Sequence, residues 1–306
     1  MAVDISIGII SRRILMVFSL ALFGVLARKT GVFRQEAKDS IVDIMLYMTL
    51  PPLVFVSMTT EISWERLLSG ISLPFLSLSV IVLMFLLAHL LGKLKLISDR
   101  RKSTFALLCA MPNAGFIGFP VVLAVLGEAG FAYAVLYDLG VTISFCSIAI
   151  LVLQGGPVRK ESWLSLLNPA LVVAVLAVFF NWGQVQIPEV ITVPLQIMGS
   201  ATVPLAMLIM GFLLSGLKVN WGMLDRDLVL VCVCKLLLSP LLAYVLMLPF
   251  DLDPMVRIVA LMQAAMPSMA STPVLVEKYG GDGDFAVTAV FVTTLLSMVT
   301  IPLIFL

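Results

Sequence analysis

Residues 111–120 read Met-Pro-Asn-Ala-Gly-Phe-Ile-Gly-Phe-Pro, and they interrupt an apolar run that is otherwise long enough to cross a lipid bilayer. Proline lacks a backbone N–H and collides with the carbonyl four residues earlier, so Pro112 and Pro120 each disfavour a continuous helix. Gly115 and Gly118 lie between the two prolines and loosen the backbone further. Because lipid cannot satisfy the freed peptide groups, the interruption is expected to be buried in protein or to line a wet cavity.

The composition places the whole chain in a membrane. Hydrophobic residues make up 61% of the 306 residues, charged residues make up 12%, and the mean hydropathy is +1.14, well outside the range of soluble domains. Continuous apolar runs favour helices over the alternating strands of a membrane barrel. The predicted fold is therefore an all-α integral membrane protein with ten transmembrane helices, over residues 5–27, 41–60, 70–92, 104–126, 131–154, 164–182, 190–217, 228–250, 256–276 and 285–306.

Basic residues concentrate in alternate loops and so predict the orientation of the chain. The enriched loops hold Arg28, Lys29, Arg34, Lys38, Lys93, Lys95, Arg100, Arg101, Lys102, Arg159, Lys160, Lys218, Arg226 and Lys278. The opposite loops hold only Arg66 and Arg257, with Arg12 and Arg13 in the first span. Because cytoplasmic loops are the basic ones, both termini are predicted to lie outside the cytoplasm, in a multi-pass protein of the cell (inner) membrane.

The chain resembles itself at a fixed offset. Residues 43–51, DIMLYMTLP, match residues 196–204, QIMGSATVP, at an offset of 153 positions. The interruption at 111–120 has a partner at 266–273, MPSMASTP, whose second proline lies 153 positions after the second proline of the first. Two separate matches at one offset favour an internal repeat, although chance similarity between apolar stretches is the alternative.

The match predicts two repeats, residues 1–155 and 160–306. Each repeat has five spans, which is an odd number, so the second repeat is expected to enter the membrane from the opposite side. Inverted repeats of this kind place a binding site near the bilayer midplane, where corresponding interrupted helices meet.

The two interruptions carry the chemistry that the sequence offers. Each exposes the N-terminus of a half-helix with about half a positive charge, so that two such ends suit a carboxylate. The predicted substrate-binding residues are Asn113, Gly115, Gln263, Ser268, Ser271 and Thr272, and the predicted helix-breaking residues are Pro112, Gly118, Pro120, Pro267 and Pro273. Two ordinary proline kinks, which membrane helices tolerate, are the alternative.

Two charged residues lie well inside predicted spans. Asp138 is costly in lipid and is a candidate for coupling to Na⁺ or H⁺; a structural hydrogen bond is the alternative. Lys235 either snorkels toward the headgroups or attracts the substrate anion. The chain has 1 histidine, and no metal-binding spacing stands out. We therefore expect no metal and no cofactor, apart from Na⁺ or H⁺ as a coupling ion.

Several of these motifs resemble the auxin efflux carrier family of bacteria and plants. They are Gly24, LPP at 50–52, PNAGFIGFP at 112–120 and VEKYGGDGDFA at 276–286, and the resemblance covers essentially the whole chain. It implies a fold similar to bile acid:sodium symporters, with broken helices 4 and 9 crossing as an X. Helices 3–5 and 8–10 would form a transport/core domain, and helices 1, 2, 6 and 7 a scaffold/panel domain.

The resemblance also implies a substrate class, because family members move organic anions such as auxin, malate or malonate. Asn113 matches the polar position after the first crossover proline, whereas Ser268 and Ser271 depart from the asparagines of relatives. The predicted function is secondary transport of a small organic anion by alternating access. The alternatives are a potential-driven uniporter or channel and, least favoured, an intramembrane enzyme. The expected partners are the anion, membrane lipid and a second copy bound through the scaffold domain, with no nucleic acid.

Overall fold

The computed structural model describes residues 7–154 and 169–305, and its regular elements there are helices, with no strand. The predicted boundary between the repeats, at 155–160, and the basic residues Arg159 and Lys160 lie outside the described residues. The α-helices are Ile7–Lys29, Lys38–Asp43, Leu50–Thr59, Trp64–Ser69, Ser72–Lys93, Lys102–Ala110, Phe119–Ser144, Ile150–Gln154, Pro169–Trp182, Glu189–Ser200, Thr202–Gly216, Arg226–Val233, Ser239–Met247, Pro254–Ala264, Thr272–Lys278 and Gly283–Ile304.

Seven described stretches are long and apolar enough to cross a membrane: Ile10–Lys29, Gln35–Thr59, Trp64–Lys93, Ala114–Leu153, Glu189–Gly216, Arg226–Met247 and Gly283–Ile304. The stretch Ala114–Leu153 contains Gly127, whose φ of 73° and ψ of −169° are not helical, so it consists of two helical segments. Shorter apolar helices, Pro169–Trp182 and Pro254–Ala264, overlap further predicted spans. The structure therefore has an all-helical membrane architecture, and the ten-span topology stays a prediction.

The described chain forms two compact units. The first comprises residues 7–71, 115–136 and 169–216, and the second comprises residues 72–114, 137–154 and 217–305. The first unit therefore holds the predicted helices 1, 2, 6 and 7. It also holds residues 115–136, which the resemblance implies for the other domain.

In the first unit, two helices approach so closely that only glycine fits between them. A Cβ on Gly24 in Ile7–Lys29 would collide with the backbone carbonyl of Leu208, and a Cβ on Gly211 would collide with the carbonyl of Ala21. The absence of side chains at these two positions brings the backbones of the helices into contact, an arrangement that small residues commonly allow in membranes.

The ends of two helices in the first unit are capped in the same way at the repeat offset. The Nη1 of Arg28 donates to the carbonyl of Phe212 at 2.9 Å. The residue 153 positions later, Asn181, donates through Nδ2 to the carbonyls of Met58 and Ile62, each at 2.7 Å. In both cases a polar side chain near one helix end donates to carbonyls at or just after the end of another helix, where helical N–H partners run out.

Another pair at this offset is in direct contact. Thr202 donates a hydrogen bond through Oγ1 to the Oγ1 of Thr49 at 3.0 Å, and the two residues are 153 positions apart. Both threonines are buried. Equivalent residues of two repeats contact each other when they lie beside the axis that relates the repeats, so this contact has the geometry that an internal two-fold repeat predicts.

The backbone repeats the same pattern at turns. Gly127 and Gly280 both have a φ of 73°, and Gly31 and Gln184 have φ values of 75° and 48°. Each pair is separated by 153 positions. Gly31, Gln184 and Gly280 follow the ends of helices, and Gly127 interrupts one. The backbone therefore turns at equivalent positions of the two matched stretches.

The second unit packs helices around Lys102–Ala110 and Gly283–Ile304. The Oγ of Ser239 donates to the carbonyl of Ala264 at 3.0 Å. A Cβ at Gly140 would collide with the side chain of Ser77, so the helices that carry these two residues also approach closely. This unit contains both interruptions at their centre, residues 111–113 and 265–271.

Candidate functional site

The first interruption separates a short α-helix from a π-helical turn. Lys102–Ala110 ends where Met111 adopts an extended conformation, with φ −87° and ψ 113°. Pro112 follows and lacks an N–H, so the helix cannot continue through it. The chain becomes helical again at Ala114–Gly118, which is π-helical, and then enters Phe119–Ser144. The predicted break therefore lies at the first of the two prolines, while Pro120 is in the first turn of the following helix.

The second interruption is longer. The helix Pro254–Ala264 ends, residues 265–271 lie outside helices, and Thr272–Lys278 begins with Pro273 in its first turn. Proline is favoured in a first turn because its missing N–H would have no helical partner there. Pro267 lies in the non-helical segment, so both predicted breaks are present in the backbone.

The two interruptions pair with each other through their backbones. The N–H of Asn113 donates to the carbonyl of Pro267 at 2.9 Å, and the N–H of Met269 donates to the carbonyl of Met111 at 3.1 Å. These reciprocal bonds form an isolated antiparallel bridge between Pro112 and Ser268. The pairing satisfies four peptide groups that lipid could not satisfy, and each bond contributes about 1 kcal/mol net.

The backbone pairing of residues 111–113 with residues 267–269 is called the joint below. Ser268 takes part in the joint with its side chain as well. Its Oγ donates to the carbonyl of Leu108 at 2.7 Å, and its N–H donates to the Oγ1 of Thr293 at 3.3 Å. Leu108 lies near the end of Lys102–Ala110, where carbonyls lose their helical partners. The hydroxyl proton of Ser268 is therefore engaged in holding the two interruptions together.

Other buried polar atoms beside the joint have no hydrogen-bond partner within the described part of the chain. They are Nδ2 of Asn113, both side-chain polar atoms of Gln263 and Oγ1 of Thr272. These three residues are 2%, 0% and 1% exposed. Because an unpaired buried polar atom costs about 1–3 kcal/mol, these groups point to a polar ligand or water bound beside the interruptions.

The remaining predicted binding residues lie elsewhere. Ser271 is exposed in the second unit. Gly115 and Pro120 belong to the first unit and line a small, mostly apolar cavity of about 50 Å³, together with Thr202. Gly118 ends the π-helical turn. The second unit thus contains Asn113, Gln263, Ser268 and Thr272, and the backbone pairing places Asn113 beside the segment that carries Ser268.

The charged residues inside the spans differ in their surroundings. Asp138 is half-buried, and its Oδ2 accepts a hydrogen bond from Oγ1 of Thr142 at 3.4 Å. Lys235 is 0% exposed, and its Nζ has no partner among the described residues. It lies in a π-helical turn, Cys234–Leu238, and such turns often mark functional sites. The prediction that Lys235 snorkels toward the headgroups is wrong, because its Nζ is buried and does not reach the surface of the protein.

An ion network in the second unit was not foreseen from the sequence. Arg101 contacts three carboxylates, those of Asp225, Asp227 at 3.4 Å and Asp282 at 3.1 Å. Its guanidinium group also lies over the ring of Phe285, with its central carbon 4.4 Å from the ring centroid. The network joins the segments that precede three helices, so it holds those helix ends together. The only sign of this network in the sequence was the presence of charged residues in three separate loops.

The network shifts the protonation of its members. Burial opposes ionisation of Asp225 and is the largest single influence, but the hydrogen bond and charge of Arg101 and the backbone N–H groups of Leu228 and Asp227 together outweigh it. They hold the pKa of the Asp225 carboxyl below its usual range. Burial likewise disfavours the charged form of Arg101, while the bonds to Asp225 and Asp282 raise its pKa above the ordinary value. Arg101 and Asp225 therefore form a charged pair at neutral pH.

The fold and this site define a class: helical membrane proteins in which interrupted helices meet at a buried polar site. The family model described as membrane transport protein matches residues 9–161 and again residues 157–305. The chain therefore belongs to this auxin efflux carrier-like family of membrane transport proteins. The two matches divide the chain at nearly the boundary that the internal offset predicts.

Two archaeal relatives match almost the whole chain. An uncharacterized transporter of Methanocaldococcus jannaschii is 28% identical over 297 residues, which cover 95% of this chain and 96% of the relative. An uncharacterized transporter of Methanothermobacter thermautotrophicus is 28% identical over 298 residues, with 95% of each chain covered. The family and these relatives support a membrane transporter.

Proposed function

We propose that the protein is a secondary transporter of a small organic anion, a carboxylate, which works by alternating access around the two interrupted helices. The observation that carries the proposal is the joint itself: two broken helices share reciprocal backbone hydrogen bonds, and buried side chains beside them have polar atoms without partners. An enzyme is not proposed, because the joint offers amides and hydroxyls but no nucleophile paired with a base.

A carboxylate suits the groups beside the joint. The Nδ2 of Asn113 and the Nε2 of Gln263 are N–H donors, and the Oγ1 of Thr272 can donate as well. A carboxylate accepts several such bonds. The N-terminal end of the half-helix that begins at Ala114 adds a partial positive charge. The Nζ of Lys235, buried in the same unit without a described partner, is a further N–H donor.

For the topology we propose ten spans in two inverted repeats, residues 1–155 and 160–306, with both termini outside the cytoplasm of the cell (inner) membrane. The Arg101 network supports it, because the loops before the predicted fourth, eighth and tenth spans lie together, as they must if they share one side. The contact between Thr49 and Thr202 supports the repeat. We also propose a homodimer through the predicted scaffold domain.

Binding is the first test of this proposal. Purified protein should bind a radiolabelled mono- or dicarboxylate in a scintillation proximity assay, and Asn113→Ala and Gln263→Ala should each lower the affinity about tenfold, the effect of one lost hydrogen bond to a charged group. Ser297→Ala is a matched control, because its buried hydroxyl is already bonded to the carbonyl of Thr294 at 2.7 Å. Unchanged affinity in both site variants would contradict the site.

The coupling ion is a second question. We propose that Asp138 takes part in coupling to H⁺ or Na⁺, because it is an acidic residue inside a membrane span whose described partner is a single threonine hydroxyl. Uptake by Asp138→Asn in proteoliposomes should lose its dependence on the pH or Na⁺ gradient. Gradient dependence identical to that of the wild type would remove Asp138 from the mechanism and favour a potential-driven uniporter or channel.

A further inference from the structure

A cavity of about 280 Å³ lies in the second unit, at the end of the helix Ser72–Lys93 and the start of Lys102–Ala110. Its polar part is formed by Lys93, Lys102, His89 and Ser103. None of the residues of the two interruptions lines it, and the proposed transport function does not use it. A cavity with two ammonium groups is suited to an anion that carries a phosphate.

The cavity changes from polar to apolar along its depth. Lys93 and Lys102 lie at the two helix ends, whereas the side chains of Phe85, Ala88 and Ala106 lie further inside the same helices and form an apolar wall. A free phosphate would need polar partners throughout. A phospholipid places its phosphate at the membrane boundary and its chains in the apolar region, which matches this gradient.

The cavity also borders a lipid-facing surface. Leu86 and Leu90, on the helix Ser72–Lys93, are 58% and 52% exposed, and each is the neighbour in sequence of a cavity residue. In a membrane protein such exposed leucines face acyl chains. A lipid can therefore enter the cavity sideways, with its chains resting on this leucine surface.

The charge of the cavity is available to a ligand. Lys102 pairs with Asp99, whose side chain is 91% exposed, and this hydrogen bond lowers the pKa of the Asp99 carboxyl. An ion pair of this exposure is weak in water, so a phosphate can replace the carboxylate. Lys93 is exposed, so its side chain is also available to an anion.

From these observations we propose that this cavity binds the headgroup phosphate of an anionic membrane phospholipid, with Lys93 and Lys102 as its cationic partners. Basic pockets between membrane helices commonly bind such headgroups on the cytoplasmic side, and the positively charged loop from Lys93 to Lys102 is predicted to lie there.

The test measures which lipid the full chain retains. The protein is placed in phosphatidylcholine nanodiscs with and without phosphatidylglycerol, and native mass spectrometry identifies the lipid that stays bound. Each lysine should contribute about 1 kcal/mol, so the double variant K93Q/K102Q should lower the preference for phosphatidylglycerol about 25-fold. K95Q/R100Q is the matched control, because it removes two neighbouring basic residues that do not line the cavity, and it should keep the preference.

Two further measurements decide the source of the phosphate and guard against misfolding. Glycerol phosphate should not displace retained phosphatidylglycerol, and displacement would overturn a lipid occupant. Val152→Phe places a larger side chain in the apolar part of the cavity and leaves both lysines in place, so it should also lower lipid retention. Equal loss of selectivity in K93Q/K102Q and K95Q/R100Q, with melting temperatures unchanged in phosphatidylcholine, would mean general surface electrostatics and would overturn the proposal.

Discussion

Replacing Gln263 by methionine tests whether the amide of Gln263 binds a ligand or stabilises the fold. The side chain of Gln263 is 0% exposed, and neither of its polar atoms has a hydrogen-bond partner among the described residues. Each such atom costs about 1–3 kcal/mol, whereas methionine fills a similar volume with a flexible, nearly apolar side chain. We expect Gln263→Met to raise the free energy of unfolding without ligand by about 2 kcal/mol and to abolish stabilisation by a carboxylate.

Asn181 is the matched control, because it is a buried amide whose Nδ2 makes two hydrogen bonds, each at 2.7 Å. Asn181→Leu leaves the carbonyls of Met58 and Ile62 without this donor, so it should lower the free energy of unfolding by about 2–3 kcal/mol. Thermal unfolding of the purified protein in detergent measures both variants, with and without carboxylate. A melting temperature of Gln263→Met as far below wild type as that of Asn181→Leu would refute the assignment of Gln263 to the ligand.

Substitutions at three further positions test other parts of the structure. Gly211→Ala should destabilise the protein by about 1–3 kcal/mol, measured as a lower melting temperature, because the new Cβ meets the carbonyl of Ala21. Gly280→Ala should cost about 1 kcal/mol from its φ of 73° alone, since no atom lies near the new Cβ; Gly280→Asn should cost less. The lowered pKa of Asp225 adds stability above the usual carboxyl pKa of about 4, which is lost as the pH falls below it. Asp225→Asn should therefore flatten the acid limb of a melting-temperature profile measured against pH, and an unchanged limb would mean that the pair with Arg101 contributes nothing.

The two interruptions could be predicted because proline acts through its own covalent geometry. Proline lacks an N–H whatever its surroundings, so the candidate breaks at Pro112 and Pro267 are visible in the sequence, although Pro194 and Pro302 lie inside helices. The offset of 153 positions could also be seen in the sequence, because the matching residues are identical or similar in type. The threonine in the matched segments even marked the contact between Thr49 and Thr202.

The partners of individual side chains could not be predicted. Ser268 was expected to bind substrate, but its hydroxyl donates to Leu108, and a serine within reach of a helix end takes whichever acceptor the fold presents. Arg101 and Asp282 are 181 positions apart in the chain, so no local pattern relates them. Long-range pairing is decided by how helices pack, and periodicity gives no information about it.

The joint between the interruptions is made of peptide groups, and this has a consequence for how the protein changes over evolution. A backbone N–H and a backbone carbonyl are the same whichever residue carries them, proline aside, so the bonds of Asn113 to Pro267 and of Met269 to Met111 do not depend on the side chains at positions 113 and 269. Solute preference can therefore drift by exchange of those side chains while the framework that positions them is inherited intact.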